Sequence, residues 1–264
     1  MIELHDVALE IGGHPLLSGL SARIGAHELV AVVGPNGVGK TTLLRALAGL
    51  HRTVDGVVRV DGVAIDAMTA FERARRIALV TADDVLLDAL AVRDVVAIGR
   101  FAHHRWWQWR TREDDDAAVT RALDAVAMSD FGDRLFASLS SGERQRVWIA
   151  LGLAQETPIL LLDEPTSHLD LRVAHEILAL LRELASSGKL VVCALHDVNE
   201  AAAYADRIAL LGNGTMLALE PPEALLNDAR LDGVYGIALE RIRLPSGSLR
   251  IYASDGRRAS QVSS

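Results

Sequence analysis

The sequence has almost no cysteine: Cys193 stands alone among 264 residues, which excludes an intramolecular disulfide and gives no sign of an oxidising compartment. It has no basic excess. The formal net charge of −8 argues against broad, sequence-independent binding of nucleic acid or anionic lipid. It has no uncharged apolar run long enough for a transmembrane helix, and its first residues, Met-Ile-Glu-Leu-His-Asp, lack the basic-then-apolar order of a secretory signal. Aromatic residues make up only 4% of the chain, yet three of the four tryptophans fall within positions 106–109. Half the residues are hydrophobic, enough to build a sizeable core. No internal repeat or low-complexity tract is visible.

The apolar pattern predicts an α/β protein. Residues 2–10 and 16–24 alternate around Gly12, Gly13 and Pro15 and read as an antiparallel pair. The short run Leu29–Val33 leads into a glycine-rich turn, followed by helical spacing over 40–50. Asp61-Gly62 marks a hairpin between Val57–Val60 and Val63–Ile65, and Ile77–Val80 reads as a buried strand. Residues 83–155 carry apolar clusters at helical spacing with charge runs, and are expected to form a helical insertion. Strand and helix then alternate: Ile159–Leu162, 170–185, Leu190–Ala194, 197–204, Ile208–Leu211. This order implies a mainly parallel sheet flanked by helices, with an antiparallel β subdomain at the N-terminus. The domain is expected to span 1–232. Residues 233–264 would form a short β-rich extension (Arg241–Leu244, Leu249–Tyr252) and a polar tail.

Two motifs carry chemistry. Gly34-Pro35-Asn36-Gly37-Val38-Gly39-Lys40-Thr41 matches G-x-x-x-x-G-K-[ST], between a predicted strand and a predicted helix. Glycines let successive backbone N–H groups face one phosphate chain, and the following helix adds its positive end. Lys40 would reach the β- and γ-phosphates, the Thr41 hydroxyl would ligate Mg²⁺, and Thr42 continues the site. In the second motif, four apolar residues end in Asp163-Glu164. Asp163 would hold Mg²⁺, mainly through water, and Glu164 would polarise an attacking water.

Three further segments name a family. Leu139-Ser140-Ser141-Gly142-Glu143 resembles the signature L-S-G-G-Q of ABC ATPases, with Ser141 replacing a glycine and Glu143 the glutamine. Ser167-His168-Leu169-Asp170 resembles the D-loop, and His196 the switch histidine. With the two motifs above, the resemblance runs from residue 1 to about 230. It implies ATP hydrolysis with Mg²⁺ in a head-to-tail homodimer. Ser140, Ser141, Gly142 and Glu143 would serve the partner's nucleotide, Ser167 and Asp170 the D-loop contact, and Glu164 and His196 catalysis.

The chain also departs from the family. The usual glutamine after Ile77–Val80 is replaced by Ala82, with Asp83 or Thr81 as substitute oxygen ligands, and the usual adenine-stacking aromatic by Ile11, which predicts weak base selectivity. About 100 residues separate Lys40 from Ser140, too few for a long coiled coil, and no membrane helix is expected within these residues. A separate importer subunit fits better than an exporter or a non-transport ABC ATPase. Val92–Arg100, Leu153–Pro158 and Leu195–Ala201 resemble the ATPases of iron-siderophore, haem and cobalamin importers. That resemblance implies a polytopic permease as partner, a substrate-binding protein acting indirectly, no nucleic acid, and a peripheral place on the cytoplasmic face of the inner membrane. His103-His104 with Trp106, Trp107 and Trp109 admits a haem or metal reading, but Trp and His are amphipathic residues of subdomain surfaces and interfaces, and the patch is expected to lie near the permease-docking face.

Overall fold

The computed structural model describes residues 1–81, 87–103 and 112–254. Ala82 and Asp83, the positions where the family glutamine is missing, lie outside the described residues, as do His104 and the tryptophans at 106–109.

A six-stranded sheet organises the chain. Strands β3 (Leu29–Val33), β6 (Ile77–Val80), β7 (Ile159–Asp163), β8 (Leu190–Ala194) and β9 (Arg207–Gly212) run parallel in the order β9-β3-β8-β7-β6, and β10 (Thr215–Glu220) closes the β9 edge antiparallel. The apolar runs are continuous because the sheet is covered on both faces. Alternate residues of β3 show it: Leu29, Ala31 and Val33 enter one core and Val30 and Val32 the other.

One face carries α1 (Lys40–Leu47) and the N-terminal antiparallel sheet of β1 (Ile2–Ile11), β2 (His14–Ile24), β4 (Asp55–Val60) and β5 (Val63–Ala64), in the order β2-β1-β4-β5. The short helix α2 (Ala70–Ala74) leads from this sheet into β6. The opposite face packs α6 (Leu171–Ser186) through Ile177, Leu178, Leu181 and Ala185, in one core with the helices α3 (Val92–Ala97), α4 (Arg112–Ala125) and α5 (Ser141–Ala154). Gly152 of α5 sits tightly on the sheet: a Cβ there would lie 2.7 Å from Val80 Cγ2. Arg100 ties this helical region together, buried and bonded to Asp115 (2.9 Å), Glu156 (2.8 Å) and the Ala154 carbonyl (2.6 Å).

Several expected boundaries shift for local reasons. The first helix stops at Leu47 rather than 50, because Gly49 takes a left-handed φ of 68° and ends it. The Asp61-Gly62 turn is realised with both residues at positive φ, but β5 ends at Ala64 and Ile65 turns inward to be buried. Strand β10 is not among the expected elements, although Asn213-Gly214, both at positive φ, carries the same hairpin signal. Helices α8 (Pro222–Leu226) and α9 (Arg230–Tyr235) are likewise additions to the expected order. After these, β11 (Leu239–Arg243) and β12 (Leu249–Ala253) form a separate antiparallel hairpin. It packs on α8 and on α7 (Val198–Tyr204). No helix among the described residues is long and apolar enough to cross a membrane.

Candidate active site

The loop after β3 wraps the start of α1. Gly34 opens it from a buried position where a Cβ would lie 2.5 Å from the Leu211 carbonyl oxygen, so glycine is required there by space as well as by its φ of 150°. Val38 packs into the core behind the loop, and Pro35 is half-buried. Asn36, Gly37, Gly39, Lys40, Thr41 and Thr42 face a cleft of about 480 Å³. The N-cap of α1 is Gly39 (φ 109°), which offers no side chain to cap the helix amides. Lys40 is only 5% exposed and its Nζ donates to the carbonyl oxygens of Gly34 (3.0 Å) and Pro35 (3.3 Å). Burial holds the Lys40 ammonium below its ordinary pKa, opposed by Glu164 and Asp163.

Across the cleft, β7 delivers the acidic pair. Burial raises the Asp163 carboxyl above its ordinary value, the Glu164 charge adds to this, and the Thr41 hydroxyl, Arg45 and Lys40 oppose it. Its Oδ1 is buried without a hydrogen-bond partner among the described residues. Glu164 occupies a left-handed backbone conformation (φ 52°), uncommon for a non-glycine residue and frequent at functional sites. Two contacts hold its side chain: His196 Nε2 lies 2.6 Å from the carboxylate, and Ser167 Oγ donates to Oε2 at 3.2 Å. Burial raises the Glu164 carboxyl, but the His196 hydrogen bond and charge, with Ser167 and Lys40, outweigh it and leave the group below its ordinary pKa. Glu164 and His196 both line the same cleft as Lys40.

Ile11 stands 53% exposed on the cleft wall. Two lining residues escaped the sequence reading. His168 lies in a D-loop segment already singled out. Leu16 carried no signal of its own, and is placed there by packing, its Cδ2 lying 3.1 Å from where a Gly39 Cβ would be.

The signature segment is not part of this cleft. Ser140 is the N-cap of α5 and forms a closed capping box: its hydroxyl donates to Glu143 Oε2 (2.7 Å), its N–H to the same oxygen (2.8 Å), and the Glu143 N–H returns to Ser140 Oγ (3.4 Å). Ser141 is exposed beside it. Gly142 is buried, and a Cβ there would lie 2.8 Å from Val173 Cγ1 of α6. Asp170 caps α6 by accepting from the N–H of that same Val173 at 3.0 Å. Signature and D-loop thus meet at one residue. Thr81 is half-buried at the end of β6, and His103 bonds the Gln155 carbonyl at 2.8 Å, which ties that part of the histidine–tryptophan patch to the end of α5.

A strand, a phosphate-type loop and a helix, set beside an acidic strand end on a parallel sheet, define a P-loop nucleoside triphosphatase. A sequence profile described as ABC transporter matches residues 17–167. The chain is 43% identical over 232 residues to the hemin import ATP-binding protein HmuV of Streptomyces coelicolor, covering 88% of this chain and 82% of that protein. It is 35% identical to the ferric enterobactin transport ATP-binding protein FepC of Escherichia coli, covering 96% and 94%. Among solved structures it superposes with a TM-score of 0.73 on the ATP-binding cassette MJ0796, in a dimeric post-hydrolysis state bound to ADP and Pi, at 27% identity over 84% of this chain and 99% of that one. It also superposes, with a TM-score of 0.79, on an inward-facing ABC transporter assigned to the metal-chelate type, at 26% identity over 96% of each chain. The chain belongs to the ABC transporter family, as one of its ATP-hydrolysing cassettes.

Proposed function

We propose that this cassette energises import of an iron complex, haem or a ferric siderophore, with cobalamin as the remaining member of that substrate group, through a separate membrane permease. Two copies would sit on the cytoplasmic face of the inner membrane beneath the permease, supplied indirectly by a substrate-binding protein. The observation that carries the ATPase reading is the Glu164–His196 pair, 2.6 Å apart, in the same cleft as Lys40. The import reading is supported by relatives named for hemin and petrobactin import and for ferric enterobactin transport that align over most of this chain.

The residues divide the work. The loop amides and the uncapped start of α1 bind the phosphates, while Lys40 transfers its hydrogen bonds from loop carbonyls to phosphate oxygens. Glu164 stays ionised at neutral pH and accepts a hydrogen bond from the attacking water, and His196 fixes its carboxylate. Thr41 and the orphaned Oδ1 of Asp163 are oxygen donors suited to Mg²⁺. Bound there, Mg²⁺ would neutralise charge on the β- and γ-phosphates. Ser140, Ser141, Gly142 and Glu143 of a second copy would close over the nucleotide, with Ser167 and Asp170 between the two sites. ATP would then drive closure because only the closed dimer makes both sets of contacts.

The test has two arms. Purified protein should hydrolyse Mg-ATP, and Glu164→Gln should lose turnover while forming an ATP-dependent dimer by light scattering. Cells without the gene should lose uptake of radiolabelled haem, ferric siderophore or cobalamin. Normal uptake of all three would reject the importer assignment and leave the ATPase assignment standing.

A further inference from the structure

The helix that follows His196 is fastened to the C-terminal hairpin at Asn199. Asn199 is the second residue of α7 and lies three positions beyond His196. Its Nδ2 donates to the Ile251 carbonyl at 2.9 Å, and its Oδ1 accepts from the Ile251 N–H at 2.9 Å. The carboxamide therefore pairs with β12 as a neighbouring strand would, on the edge that β11 leaves open. Arg250 Nη1 adds a bond to the Asn199 carbonyl oxygen.

The hairpin is itself a fixed object. Asp232 of α9 accepts from the Leu239 N–H at 2.8 Å and from Arg241 at 2.5 Å, and Arg241 Nε donates to the Leu226 carbonyl at 2.8 Å. Helix α9 in turn abuts the sheet: Val234 Cγ2 lies 2.7 Å from where a Gly212 Cβ would be. Tyr235, the last residue of α9, lies beside the Gly34 backbone, where the phosphate loop begins. The C-terminal segment thus touches the phosphate loop at one end and the helix behind His196 at the other. Helix α7 has seven residues, and the side chain of its N-cap, Asp197, accepts from the N–H groups of Asn199 and Glu200.

We propose that Asn199 is a positioning residue for hydrolysis: by locking α7 to β12 it keeps His196 at hydrogen-bonding distance from Glu164. This rests on the reading that Glu164 and His196 act on ATP. Asn199 lies outside the cleft lining and acts only through His196. A displacement of about 1 Å remote from the reacting atoms is enough to cost up to roughly a hundred-fold in rate.

The experiment is single-turnover ATP hydrolysis with enzyme in excess, on the full chain. Asn199→Ala should lower the hydrolysis rate about ten-fold or more while the Kd for Mg-ATP stays within about two-fold. Asn199→Asp, which keeps the acceptor for the Ile251 N–H, should recover part of the loss. In a His196→Ala background, Asn199→Ala should cost nothing further, because the residue it positions is gone. Arg250→Ala, which keeps the carboxamide pair, should give a smaller loss in the same direction and serves if Asn199→Ala does not fold. An unchanged rate in Asn199→Ala overturns the proposal. So does an equal loss with and without His196, which would mark a general structural defect. Turnover that survives Glu164→Gln would instead refute the catalytic reading beneath it.

Discussion

Two helix starts in this molecule differ in what engages their first amides. Helix α1 begins at Gly39, with no side chain to occupy its amides, whereas α5 begins at Ser140, whose hydroxyl and N–H are already engaged by Glu143. The first is prepared for phosphate within a single protomer. The second is satisfied as a capping box, and Ser140 must release Glu143 before its hydroxyl can donate to a partner's phosphate. Burial differs as well. Lys40 is 5% exposed, while Ser140 and Ser141 face solvent. In the proposed sandwich the first start would serve its own protomer's nucleotide, and the second would gain its role only in the assembly.

The largest expected effects test the first start. Lys40→Ala should abolish nucleotide binding, and Glu164→Gln should lower turnover by roughly 10²–10⁴-fold without loss of binding, read by nucleotide titration and phosphate release. The next tests the second. Ser140→Arg and Lys40→Ala should each be inactive as homodimers, but mixing them should restore turnover neither parent has, because one of the two composite sites is then intact. A mixture as inactive as its parents would mean that both helix starts serve the same protomer's nucleotide. Ser140→Ala should also cost about 1 kcal/mol of stability through the lost cap, read in the denaturation midpoint.

Smaller effects refine the contrast. Hydrogen bonds from the Ser140 side chain and backbone hold the Glu143 carboxyl below its ordinary pKa. The sign follows: a depressed folded pKa gives stability that is present above the carboxylate range and lost as pH falls through it. Glu143→Gln preserves the box, since glutamine serves the same position, but removes a charge from the face that would meet phosphate in the proposed sandwich. ATP-driven dimerisation of that variant should therefore tighten modestly, by a constant factor across neutral pH. Ile11→Tyr should be the mildest change, lowering KM for ATP a few-fold, because an aromatic pair adds about 0.5–1.5 kcal/mol beyond the area it buries.

What was legible in the sequence follows the same division. The phosphate loop and Asp163-Glu164 could be read because each is a contiguous run whose neighbours, strand and helix, are visible in the apolar pattern. The parallel sheet was legible because its strands are unbroken apolar runs. Leu16 could not be read, since it reaches the cleft only through the way β2 packs against Gly39. The second reason for Gly142, its contact with Val173, was hidden too, because the crowding comes from a helix thirty residues away. The C-terminal segment was read as two strands, but α8 and α9 are five and six residues long, too short to show helical periodicity.

The resting place of Lys40 has a consequence for energetics. An ammonium that sits on the carbonyl oxygens of Gly34 and Pro35 shed most of its water when the chain folded, not when nucleotide arrives. Phosphate entry is then an exchange of one oxygen shell for another. Most of the dehydration of the cation would already be done, and affinity would reflect how much better a charged oxygen suits it than two neutral ones. The same exchange runs backwards on product release, so the loop offers its lysine a soft landing and leaves the spent nucleotide free to depart.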